Sequence, residues 1–99
     1  MIRHCVMLTW ADGVPDDLKA KVSEELDALP GLIPEIQRYA HGPDAGLSEG
    51  NHDYCVVADF ADEDAYRTYA AHGEHQRVIA DHIRPILAGR TAVQYRIDG

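Results

Sequence analysis

The sequence has 99 residues, the length of one domain with a modest hydrophobic core. Its 17 acidic and 9 basic side chains give a formal net charge of −8 at pH 7, which argues against nucleic acid or an anionic membrane as a partner. The longest uncharged apolar stretch, residues 5–10, is too short to cross a membrane, and no basic leader follows Met1, so we expect a cytoplasmic protein.

The first apolar segment, residues 2–10, alternates with a period of two and predicts a strand. One face carries Ile2, His4, Val6, Leu8 and Trp10, and the other carries Cys5, Met7 and Thr9. Both faces are apolar, which is typical of a strand covered on two sides. His4 shares its phase with Val6 and Leu8, so we predict that it faces the helices. A core histidine bonded to a neighbouring group is the alternative interpretation.

The next segment predicts an amphipathic helix that begins at Pro15 and is ended by Pro30-Gly31, with an apolar stripe of Leu18, Val22, Leu26 and Leu29. Later elements follow from turn residues and periodicity. They are a strand over 32–42, a loop to residue 51, a strand over 52–60, a helix over 61–71, a helical segment from 73 or 74 to 88, and a strand over 90–97. Pro85 is predicted to kink or tighten the last helical turn.

The order βαββαβ predicts a single α+β domain over residues 1–99, a ferredoxin-like fold with a four-stranded antiparallel sheet. Two helices cover only one face of such a sheet. The apolar other face, with Cys5, Met7, Cys55 and Val57, therefore predicts a homodimer packed sheet to sheet. We expect both cysteines to be buried free thiols, because they lack metal-binding or disulfide-type spacing.

Two phenols and two imidazoles lie close together in the segment 66–76. Tyr69, His72 and His75 follow an i, i+3, i+6 spacing, which would place them on one side of a continuous helix. An imidazole beside a phenol can transfer protons near neutral pH. The alternative is that a histidine here caps the helix or binds a backbone carbonyl. A metal site at the two histidines is less favoured, because no third ligand has suitable spacing.

Five segments carry a family likeness across essentially the whole chain: Ile2–Leu8, Leu29–Ile36, Gly42–Asp44, Asp53–Phe60 and Tyr69–Gln76. With them the chain resembles the stress-responsive A/B barrel domain (Dabb) family. The resemblance implies a dimeric α+β barrel that works without a metal or other cofactor. The proline that family members usually carry between the two histidines is Gly73 here.

The residues are similar to those of a plant member that closes a linear polyketide by an intramolecular aldol condensation. By that resemblance His75 stands where the catalytic base stands, and Tyr69 stands where a phenol supports the reacting carbonyl. The implied substrate-binding positions are His4, Val6, Leu8, Val22, Leu26, Val56, His72 and Ile86. The implied function is a cyclase acting on a small apolar or polyketide-like ligand. The alternative is a non-catalytic dimer that serves in stress tolerance or binds a small molecule.

Overall fold

One face of a four-stranded antiparallel sheet carries the helices, in a computed structural model that describes residues 1–98. The elements are β1 (Ile2–Trp10), α1 (Asp16–Leu32), β2 (Arg38–Pro43), β3 (Tyr54–Phe60), α2 (Glu63–Ala71), α3 (Gly73–Val78), a π turn (Ile79–Ile83), a 3-10 turn (Arg84–Ile86) and β4 (Leu87–Arg96). The sheet order is β2-β3-β1-β4. This is the predicted ferredoxin-like α+β fold, and that prediction is confirmed.

The alternation in β1 decides which side of the sheet becomes the core. Every second side chain from Ile2 to Trp10 is buried, and the intervening ones are only half-buried. His4 lies opposite Ala58 and Val6 lies opposite Val56 in the register of β1 with β3. Phase alone therefore places His4 on the helix-covered face, as predicted.

Helix α1 continues through the proline that was expected to end it. Pro30 lies inside the helix, and the N–H of Ile33 still donates to the carbonyl of Leu29 at 2.9 Å. Leu29 and Ile33 are both fully buried, so packing of the last turn outweighs the one backbone donor that proline lacks. The predicted start of the second strand at residue 32 is therefore wrong, because β2 begins only at Arg38.

The second helical region breaks at His72, between the two helical segments that were predicted from the sequence. His72 has extended backbone angles, φ −63° and ψ 136°, and separates α2 from α3. Its Nδ1 accepts a hydrogen bond from the N–H of Glu74 at 3.1 Å, which caps the start of α3. Helical geometry therefore does not run continuously through Tyr69, His72 and His75.

Pro85 shapes the end of the helical region. The N–H of Arg84 donates to the carbonyl of Ile79, five residues back, and the N–H of Leu87 then donates to the carbonyl of Arg84, three residues back. Proline has no N–H to give, and its ring crowds the carbonyl four residues earlier. The chain therefore widens into a π turn before Pro85 and tightens after it, and β4 starts at Leu87.

The opposite face of the sheet is uncovered within one chain. Cys5 lies between Val57 of β3 and Val93 of β4, and Val93 is 52% exposed. Cys5 is a half-buried free thiol and Cys55 is an exposed one, so the expected burial of Cys55 does not occur within the chain itself. Among residues 1–98 no helix is long and apolar enough to span a membrane.

We predict that this open face forms the homodimer seam. Val93→Asp should shift the protein to a monomer, because an unpaired carboxylate would have to be buried in an apolar contact. Leu18→Asp is the matched control, since Leu18 is 45% exposed on α1, away from this face. Light scattering at micromolar concentration measures both. A wild-type monomer, or a dimer unaffected by Val93→Asp, would contradict the prediction.

Candidate active site

A cavity of about 420 Å³ lies between the sheet and the helical layer. This volume is within the range of small-molecule sites. Seven of the residues singled out from the sequence line it: His4, Val6, Leu8, Leu26, Val56, Tyr69 and His75. The structure thus brings both proposed catalytic residues and most of the proposed pocket residues to one space.

Three of the proposed pocket residues do not reach the cavity. Val22 is fully buried one turn before Leu26 on α1, and Ile86 is 5% exposed in the core. Their side chains are used in packing. His72 is used as the cap of α3, because the chain is extended at this residue and its ring turns back to the N–H of Glu74. The assignment of these three to substrate binding stays a prediction, which the lining of this cavity does not support.

Tyr69 and His75 face each other because the helix breaks between them. Their ring centroids are 4.1 Å apart with an interplanar angle of 34°. Nδ1 of His75 lies 3.2 Å from the carbonyl oxygen of Ala70. A carbonyl can only accept, so Nδ1 carries the proton and the neutral ring has its lone pair on Nε2.

The lone pair of His75 is available to a ligand. Nε2 has no hydrogen-bond partner among the described residues, and none of their fully buried side-chain nitrogens or oxygens lacks a partner. Nε2 is therefore accessible, on a residue that lines the cavity. Burial lowers the pKa of His75 below its ordinary value, and the hydrogen bond to Ala70 only partly opposes this. At neutral pH the ring is the free base.

His4, which lies on β1, has the opposite hydrogen-bonding role to His75. It is 3% exposed, and the side-chain amide nitrogen of Gln94 donates to its Nδ1 at 2.7 Å. The neutral ring therefore carries its proton on Nε2 and is a donor there. Burial, followed by the positive charge of Arg90 and the effect of His75, lowers the pKa of His4 to about 4. His4 thus stays neutral throughout the physiological range.

A pair of phenols completes the polar part of the cavity. The hydroxyls of Tyr39 and Tyr69 are 3.0 Å apart. Burial raises the pKa of Tyr69 to about 12 and also raises that of Tyr39, while the hydrogen bond from Tyr39 acts to lower the pKa of Tyr69. When Tyr39 donates to Tyr69, the Tyr69 O–H is free to donate to a ligand.

Sequence reasoning missed several lining residues: Tyr39, Tyr66, Ala70, Gln76, Val78, Ile79, Ile83, Arg84, Leu87 and Arg90. Register would have found Tyr39, because it lies opposite Ala58, which lies in turn opposite His4. Arg90 lies opposite Leu8, but its strand was predicted to begin at that residue. Among residues 1–98 no three histidine, cysteine or acidic side chains converge as metal ligands.

We predict that the imidazoles of His4 and His75 both titrate below the ordinary histidine value, His4 near pH 4. Because folding lowers these pKa values, the stability they contribute is full at neutral pH and is lost as the pH falls from the unfolded toward the folded pKa. Arg90→Gln should raise both values, since Arg90 lowers each of them. Arg38→Gln is the control. Histidine ring NMR signals report this directly, and an ordinary pKa for His4 would contradict it.

Comparison with known proteins supports the same fold. The chain is 44% identical to a dimeric ferredoxin-like protein of unknown function from Thermobifida fusca, with a TM-score of 0.90 over 97% of this chain and 90% of that one. A dimeric protein of this fold from Bacteroides fragilis is 25% identical, with a TM-score of 0.84 over 97% and 95% of the two chains. No curated protein matches the sequence.

One similar structure is of an enzyme. The hydroxynitrile lyase from Passiflora edulis has a TM-score of 0.84 over 98% of this chain and 93% of its own, at 14% identity, which shows a shared fold. That two of the relatives are described as dimeric supports a homodimer here. The profile of the stress responsive A/B barrel domain matches residues 2–97. The chain therefore belongs to the stress-responsive A/B barrel domain (Dabb) family.

Proposed function

We propose that this protein is a cofactor-independent enzyme that closes a small polyketide-like chain by an intramolecular aldol condensation. The observation that carries the proposal is the pairing of Tyr69 and His75 over one apolar cavity, with the His75 lone pair accessible on Nε2. A base and a neutral hydrogen-bond donor at one carbonyl group are the minimum that enolate chemistry needs.

His75 acts as the base in the first step. Nε2 takes a proton from the carbon next to a carbonyl. The electron pair of that C–H bond forms the carbon–carbon double bond of the enolate, and the π pair of the carbonyl moves to its oxygen. The hydroxyl of Tyr69 donates to the resulting enolate oxygen. The N–H of His4 is a second donor, with its ring centroid 6.3 Å from that of Tyr69.

Ring closure then needs no further reagent. The enolate carbon attacks a second carbonyl of the same chain, so that one carbon–carbon bond forms and the electron pair moves to the second oxygen. The proton held by His75 is returned to that alkoxide, which gives the β-hydroxy ketone and regenerates the base. Removal of a second α-proton and departure of the hydroxyl group as water then complete the condensation. The apolar lining, which includes Val6, Leu8 and Val56, holds the chain folded and limits the water that would otherwise protonate the enolate.

The comparisons support catalysis only in general terms. The Passiflora edulis protein shows that a lyase can be built on this fold, and its name gives no residue roles for the present chain. The alternative of a non-catalytic dimer would leave the polar groups of the cavity without a chemical task. The buried His4 and the paired phenols Tyr39 and Tyr69 favour the enzyme.

We expect His75→Ala to abolish enolisation, since the other imidazole that lines the cavity among the described residues, His4, carries its proton on Nε2 and has its lone pair bonded to Gln94. Tyr69→Phe should slow it by about a hundredfold, the effect typical of losing one oxyanion donor. The assay is proton–deuterium exchange of 2,6-heptanedione in D₂O, followed by NMR, with cyclisation measured in the same samples. The rate should fall on acidification, because only the neutral form of His75 is a base.

His72→Asn is the matched control. It removes the other imidazole of the motif, while asparagine can still cap α3. This variant should keep the wild-type exchange rate. Exchange that survives His75→Ala, or that is lost in His72→Asn with the fold and dimer intact, would contradict the assignment of the base.

A further inference from the structure

We propose that the ligand of this cavity carries a carboxylate, which Arg84 and Arg90 bind at the cavity rim. Both arginines line the cavity and both side chains are exposed. Arg90 stands on β4 opposite Leu8, and Arg84 begins the turn that contains Pro85. A carboxylate at this rim would define the substrate class of the proposed enzyme. Its binding rests on the proposed function only for the reaction at the other end of the ligand.

These arginines are unusual in this chain for lacking acidic partners. Six of the nine lysines and arginines make ion pairs with N–O distances of 3.8 Å or less, namely Arg3, Lys19, Lys21, Arg67, Arg77 and Arg96. Arg84 and Arg90 make none with residues 1–98, and the remaining one is Arg38. Acidic groups outnumber basic ones 17 to 9, so two unpaired cations at one cavity are a local departure from the charge of the whole chain.

Among residues 1–98, no acidic side chain lines the cavity to neutralise them. Its lining has no aspartate or glutamate, and the ionisable groups other than the two arginines are His4, His75 and three tyrosines, Tyr39, Tyr66 and Tyr69. The charge of Arg90 reaches inward, since it lowers the pKa of His4, His75 and Tyr69. The rim is thus positive and the interior is neutral at physiological pH.

This distribution matches an amphiphilic acid. A guanidinium group binds a carboxylate through a planar pair of donors, and the bond is stronger at the edge of an apolar space than in open water. The alkyl part of the ligand would lie against Val6, Leu8 and Val56. A phosphate, as in a coenzyme-bound acyl chain, is the other anion that arginines bind, and the experiment separates the two.

Titration calorimetry of the full-length protein tests the proposal with octanoate, octanamide and octyl phosphate. Octanoate should bind at least about tenfold more tightly than the neutral amide, and the Arg84→Gln/Arg90→Gln double variant should remove this difference. Arg38→Gln is the matched control. Arg38 is the third arginine without an ion pair to residues 1–98, and it lies on β2 and does not line the cavity. This variant should leave octanoate affinity unchanged.

Each outcome is decisive for the proposal. Equal affinity for octanoate and octanamide, a preference that survives in the double variant, or binding of octyl phosphate alone would overturn it. Octanoate carries no ketone on which the base could act, so calorimetry measures binding without the proposed reaction, and a failure of that chemistry leaves this test intact. Conversely, loss of the carboxylate preference would leave the enolisation assay unaffected, since 2,6-heptanedione carries no charge.

Discussion

The extended residue at His72 is the constraint on which the candidate site depends. In one continuous helix Tyr69 and His75 would lie almost two turns apart, about 9 Å along the axis. The break brings their ring centroids to 4.1 Å, and the carbonyl of Ala70 binds Nδ1 of His75. The ring of His72 stabilises the break by accepting the N–H of Glu74. A capping interaction thus creates the geometry that the proposed chemistry uses.

Burial and hydrogen bonding together give the two cavity histidines different roles. His4 and His75 are both neutral, because desolvation disfavours their charged forms, yet their hydrogen-bond partners fix opposite tautomers. An amide donor makes His4 a donor at Nε2, and a carbonyl acceptor leaves His75 a base at Nε2. The phenol of Tyr69 stays protonated for the same reason, with a pKa of about 12. The interior can therefore hold an acid and a base side by side without an ion pair.

Features that depend on the local residue pattern, such as the buried face of a strand and the order of the elements, were predicted correctly from the sequence. Strict alternation placed His4 on the covered face, and the order of the elements predicted the sheet. Spacing grouped Tyr69, His72 and His75, and the resemblance to the family then implied the roles of His75 and Tyr69. The failures have long-range causes, since Pro30 stays in its helix because of tertiary burial, and Tyr39 joins the cavity through strand pairing. Helical spacing also predicted that His72 lies on the same side as Tyr69 and His75, but the chain is extended at His72 and its ring caps α3.

The central claim is that His75 offers a lone pair where His4 offers a proton. Long-range ¹H–¹⁵N NMR correlation of the neutral protein identifies which nitrogen of each imidazole is protonated. We predict protonation at Nδ1 in His75 and at Nε2 in His4. The same tautomer in both rings, or a doubly protonated His75 at neutral pH, would contradict it.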